Sequence, residues 1–196
     1  MLIDLSRKIE AGMPVYPGDP AATLEKIKSV EKDHYTLYWW QTSLHAGTHM
    51  DAPMHLLDDP RRICDLSLER MTAPGVLLTD MEKIPETEIP MGAAVLIETG
   101  MDALYGTEAY YRNHPAVSQE LCEYLIARKV AMVGVDAPSP DHVPFPVHKR
   151  LMEEGIPILE NLTNLHLLRG KQFTLIAFPL NIAAEGSPVR AIATIQ

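Results

Sequence analysis

The sequence predicts a strand-rich α/β fold, and three observations carry that expectation. Short apolar runs recur at residues 75–79, 93–97, 130–135, 173–179 and 189–195, each the length of a strand with little polar surface. A helical pattern over residues 119–129 leads without a spacer into the run at Val130, as when a helix packs back onto a sheet. At 196 residues, with no internal repeat, low-complexity tract or long linker, the chain fits one domain over residues 1–196 with a sizeable core.

The elements follow in order. Residues 35–44 are rich in aromatic and β-branched side chains and read as a strand feeding a loop. Ser118 is placed to cap the helix over 119–129, and Leu121, Leu125 and Ile126 form an apolar stripe suited to core packing. A shorter helix over 147–154 is closed by Gly155, after which the apolar run 156–159 ends on Glu160. Helix then strand can fold back to bring His148 and Glu160 to one point. Asp136 and Ser139 suit a turn built on side-chain to backbone hydrogen bonds.

The formal charge of −9 offers no basic face to phosphates, which argues against nucleic-acid binding. Cys64 and Cys122 lack metal-ligand spacing and read as reduced thiols. No apolar run approaches the roughly 20 residues of a membrane span, and the first residues do not read as a secretion signal. A cytoplasmic protein is the expectation.

The chemistry concentrates in residues 45–55, His-Ala-Gly-Thr-His-Met-Asp-Ala-Pro-Met-His. Neutral imidazole and ionised carboxylate are the common non-thiolate ligands of zinc and similar divalent ions, so His45, His49 and His55 with Asp51 read as a metal site. In a straight strand His45 and His49 would stand roughly 13 Å apart, too far to share one ion. The chain must turn between them, and Gly47 can take the backbone angles a turn requires. A helix would also pair them, but Gly47, Thr48 and Pro53 are poor helix material.

Further motifs are Asp4-Leu5-Ser6, the run from Met13 through Tyr16 to Asp19, Leu96-Ile97-Glu98-Thr99-Gly100, and the stretch Val133 to Ser139. Others are the segment from His148 to Glu160-Asn161-Leu162, and Gly186-Ser187-Pro188-Val189-Arg190. In this order the sequence resembles the cyclase family of metal-dependent hydrolases, which includes bacterial kynurenine formamidases. The resemblance implies a swivelling β/β/α domain. It implies that His45, His49 and Asp51 hold one divalent ion, with Asp51 bridging to a second held by His148 and Glu160. It makes His55 the catalytic imidazole, and it implies a homo-oligomer, a dimer or tetramer. Zinc is the first expectation for the ions and manganese the second. Relatives often carry a basic residue or histidine where this chain has Glu98, a departure that bears on substrate preference if the position lines the pocket.

A metal-bound hydroxide would attack an amide carbonyl, with the metal stabilising the oxyanion, and His55 would carry a proton to the leaving nitrogen. The named substrate is a small molecule, an aryl formamide such as N-formylkynurenine. Opening of a cyclic amide, imide or lactone is the alternative within this chemistry, and a non-catalytic metal-containing binding module the alternative outside it. Tyr16 and Trp40 are candidates to line the substrate pocket, although clustered aromatics such as Tyr35, Tyr38, Trp39 and Trp40 more often form core or interface. His34, His114, His142 and His166 have no comparable sequence context.

Overall fold

A computed structural model describes residues 1–195 of the chain. In chain order its strands and α-helices are β1 (Leu2–Asp4), β2 (Thr23–Lys28), α1 (Val30–Asp33), β3 (Leu37–Gln41), β4 (His49–Asp51), β5 (Thr72–Leu78), β6 (Ala94–Ile97), α2 (Glu108–Arg112), α3 (Gln119–Ala127), β7 (Met132–Val135), α4 (Pro146–Glu153), β8 (Ile158–Glu160), β9 (Phe173–Pro179) and β10 (Gly186–Ile195). The apolar runs at 93–97, 130–135, 173–179 and 189–195 fall on β6, β7, β9 and β10, and the run at 75–79 on β5.

Eight strands form one sheet in the order β1-β10-β4-β8-β7-β6-β5-β9, and β9 pairs again with β10, so the sheet closes into a barrel with β1 outside the ring. The steps β5–β6, β6–β7 and β7–β8 are parallel and the rest antiparallel. Closure leaves fewer free backbone edges. β2 and β3 form a separate two-stranded hairpin, and every residue of β3 is exposed. The strand expected over 35–44 is therefore shorter, and its aromatic side chains lie on the surface rather than in the core.

Alternation along the strands divides two apolar cores. Ala94, Leu96, Met132 and Leu159 point into the barrel with Met50, Leu175 and Ala191, whereas Val95, Ile97, Val133, Val135 and Ile158 point outward. Leu121 and Leu125 of α3, and Leu151 and Met152 of α4, cover that outer face. Burial on both faces explains why β6 and β7 read as continuous apolar runs. Ser118 caps α3, its Oγ accepting the Leu121 N–H at 3.1 Å.

The register of β4 against β8 sets His49 opposite Glu160, Met50 opposite Leu159 and Asp51 opposite Ile158. With period 2, Met50 and Leu159 enter the barrel while His49, Asp51 and Glu160 face out. α4 packs on that outer side and brings His148 with it.

Candidate metal centre and active site

Each ligand-type side chain is positioned by a local feature of the sequence. His45 precedes β4 on a turn where Gly47 has φ +69°, which produces the reversal the spacing requires. His148 lies in the first turn of α4, whose start is held by Asp141: Oδ2 accepts the Val147 N–H at 2.7 Å and the His148 N–H at 3.3 Å. Asn161, following Glu160, takes φ +57° and turns the chain out of β8.

The five side chains converge. His45 Nδ1 lies 3.0 Å from Asp51 Oδ1, and His49 Nε2 lies 3.4 Å from that oxygen and 3.2 Å from Glu160 Oε2. His148 Nε2 stands 3.0 Å from Glu160 Oε1 and 3.8 Å from Asp51 Oδ2. Two triads result, His45/His49/Asp51 and Asp51/His148/Glu160, each offering one ligand atom per residue within 4.8 Å of the others. Asp51 belongs to both.

The chemistry of these atoms fits divalent ions. His49 Nε2 and both Asp51 carboxylate oxygens are buried without a hydrogen-bond partner, which a folded protein rarely tolerates unless something else completes them. The other ring nitrogens are committed. His49 Nδ1 donates to the Gly47 carbonyl at 2.9 Å and His148 Nδ1 donates to Asp141 at 2.6 Å, leaving both Nε2 lone pairs free for an ion. Asn161 Nδ2 also donates to the Gly47 carbonyl at 3.0 Å, and the Tyr110 hydroxyl donates to Asn161 Oδ1 at 2.6 Å.

Electrostatics agree. Burial alone would lower the imidazoles, but the carboxylates reverse it: His45 is raised to about 9 by Asp51, Glu160 and Glu185, and His49 and His148 are raised as well. Burial would raise Asp51, yet His49, His148 and His45 hold it well below the usual carboxylate range. The site attracts positive charge, which protons or metal cations can supply. His55 differs. Its ring lies 4.2 Å from that of His45, and burial pulls its pKa below 6.5, so it is a neutral base at neutral pH.

A cavity of about 450 Å³, within the range of small-molecule sites, opens onto His45, His49, His55, His148 and Glu160. Tyr16 lines it as the sequence suggested, but Trp40 does not: β3 carries it away on the exposed hairpin. Glu98 does not line it either, because its carboxylate accepts two N–H groups of Arg169, at 2.7 and 2.8 Å. The condition under which Glu98 would tune the pocket is therefore not met. Ser139 makes the expected turn bonds with the Asp141 backbone, whereas Asp136 makes no local turn: its carboxylate accepts the N–H groups of Thr99 and Gly100 across the chain and ties the segment after β7 to that after β6. Sequence reasoning missed Asp141, Asn161, Glu185 and the His114–His142 pair, which topology alone brings to the site or cavity. The one sequence signal was local: Asp141 stands seven residues before His148, and Asn161 directly follows Glu160.

Barrel, paired histidine–carboxylate triads and adjoining cavity together define a metal-dependent hydrolase. The family model described as "Putative cyclase" matches residues 3–142, and the chain belongs to the cyclase family. A kynurenine formamidase of Geobacillus thermodenitrificans is 32% identical over 96% of this chain and 95% of its own length. One from Bacillus cereus is 29% identical over 97% and 95%. Among solved structures, an isatin hydrolase bound to the product analogue thioisatinate superposes with a TM-score of 0.87 at 25% identity, over 100% of this chain and 92% of that one. Isatin hydrolase A from Labrenzia aggregata, bound to benzyl benzoate, gives 0.84 at 26%, over 98% and 93%.

Proposed function

We propose that this chain hydrolyses the C–N bond of an aryl formamide such as N-formylkynurenine, holding two divalent ions, zinc before manganese. His45, His49 and Asp51 would hold one ion, and Asp51, His148 and Glu160 the other. The observation that carries this reading is the convergence of five ligand-type side chains, with orphaned buried donor atoms, at the wall of a small-molecule cavity. Bound there, divalent ions supply acidified water and a Lewis acid for a carbonyl oxygen.

The chain's own residues do the rest. Gly47 and Asp141 fix the imidazoles of His49 and His148 in the tautomers that free Nε2. His55, neutral and facing the cavity, takes the proton from the attacking water and returns it to the departing aniline nitrogen. Tyr16, Tyr105, Tyr111 and Phe145 give the cavity aromatic walls against which an aryl ring packs.

A second reading, opening of a cyclic amide, draws on the superposition with isatin hydrolase. Both reactions place an aryl amide carbonyl at the same groups. Curated relatives that match nearly end to end are kynurenine formamidases, which favours the formamide. A cytoplasmic homo-dimer or homo-tetramer completes the proposal; no helix among the described residues is long and apolar enough to cross a membrane.

Elemental analysis of the purified protein followed by assay on N-formylkynurenine, isatin and simple lactones tests it. Release of formate from N-formylkynurenine with two metal equivalents per chain is the expected result. Turnover of isatin alone would select the second reading, and absence of bound metal after purification and after reloading would overturn both.

A further inference from the structure

His114 and His142 stack in the same cavity, ring centroids 4.1 Å apart and planes 28° from parallel. Neither belongs to the metal centre, and the proposed reaction does not use them. His142 Nε2 lies 2.9 Å from the His114 carbonyl and His114 Nδ1 lies 3.3 Å from the Pro115 carbonyl. A carbonyl only accepts, so both of these nitrogens carry hydrogen, and in the neutral ring the opposite ones, His142 Nδ1 and His114 Nε2, are the acceptors. Burial and the adjacent His142 ring lower the pKa of His114. His114 is only 4% exposed yet lines the cavity, and its Nε2 has no hydrogen-bond partner among the described residues.

The rest of the wall has the same sign. Among the described residues no lysine or arginine lines the cavity, whereas Asp19 does, its carboxylate taking one hydrogen bond, from the Ser43 hydroxyl at 2.9 Å. Tyr16 and Tyr111, in edge contact at 5.7 Å, add ring faces that attract cations. An anionic substituent would find no lysine or arginine to pair with, and with ions in the two triads it would compete for them with the reacting carbonyl. A hydrogen-bond donor, above all an ammonium group, would find acceptors ready.

We infer that the cavity selects aryl amides carrying a protonated primary amine and disfavours those carrying only a carboxylate, with His114 and His142 as the residues that read the amine. The inference rests on the aryl-formamide reading and sharpens its substrate class.

Three related probes test it: N-formylkynurenine, a zwitterion; its decarboxylated analogue, a cation; and its deaminated analogue, an anion. The metal-loaded wild type is expected to give kcat/KM at least tenfold higher for the cation than for the anion, with the zwitterion between, as one charge-assisted hydrogen bond would produce. His114→Phe and His142→Phe keep an aromatic ring in the stack but lose the acceptor, and each should compress the cation-to-anion ratio by about tenfold, chiefly through KM of the cation. Anion turnover equal to or better than that of the cation, or a ratio untouched in both variants, would overturn the inference. Should none of the three be hydrolysed, the formamide reading fails. Calorimetric binding of the deformylated cation and anion then decides the inference separately, with tighter binding of the cation supporting it and equal or weaker binding overturning it.

Discussion

The Nδ1–H of His148 donates to Asp141 Oδ1 at 2.6 Å, while the other oxygen of that carboxylate accepts the backbone N–H groups at the start of α4. One buried acid thus fixes both the helix that carries a ligand-type imidazole and the tautomer that imidazole presents. Asp141→Asn keeps the size of the group but weakens its hold on the ring. Metal affinity, measured by competition with a chromogenic chelator, should fall about 10–100-fold. Unchanged affinity would mean that the helix alone orients His148.

His55→Ala should retain its metal by elemental analysis and lose about 10²–10⁴-fold in kcat, the usual contribution of a positioned acid–base group. Because burial lowers this imidazole, the acid limb of the wild-type kcat/KM profile should fall below pH 6.5, with activity rising as pH rises and the base deprotonates. Divalent ions held by the two triads would push in the same direction. Loss of metal with unchanged turnover per bound ion would make His55 a supporting residue only.

Metal removal should make stability depend on pH. His45 is raised to about 9 in the fold against an ordinary 6.5, so its ion pair with Asp51 stabilises the metal-free protein fully below 6.5. That contribution is lost as pH climbs through 9. Between those values Tm of the chelator-treated protein should drop on the order of 5 °C more than that of the metal-loaded protein. Differential scanning fluorimetry across the range checks it, and parallel curves would argue against carboxylate control of His45.

Gly186 of β10 lies opposite Asp51 of β4. A Cβ there would stand 3.1 Å from the His45 ring and 3.4 Å from Asp51 Oδ1. Gly186→Ala should therefore displace His45, cutting metal affinity about tenfold and costing about 1–3 kcal/mol of stability. Titration with metal and urea unfolding of the metal-free protein separate the two.

Much of this was legible in the sequence for physical reasons. β6 and β7 are buried on both faces, so Ala94–Ile97 and Met132–Val135 read as strands without any alternation. His45, His49 and Asp51 crowd one short stretch, and Gly47 signalled the turn that brings them together. His114 and His142 carried no such signal: they meet across 28 residues through a backbone carbonyl. Trp40 misled because an aromatic strand leading toward the metal motif suggests proximity, whereas the hairpin carries it outward to solvent. Barrel closure through β9 and β10 also lay beyond local pattern, since it depends on which strands pair at long range.

The pairing of His49 with Glu160 across the β4–β8 ladder ties the two triads to the backbone itself. Neither residue sits on a loop that could swing aside, so moving one triad away from the other means parting strands in the middle of a closed ring. The distance between the two candidate ion positions is therefore a property of the sheet, and it should stay the same whichever divalent ion is loaded.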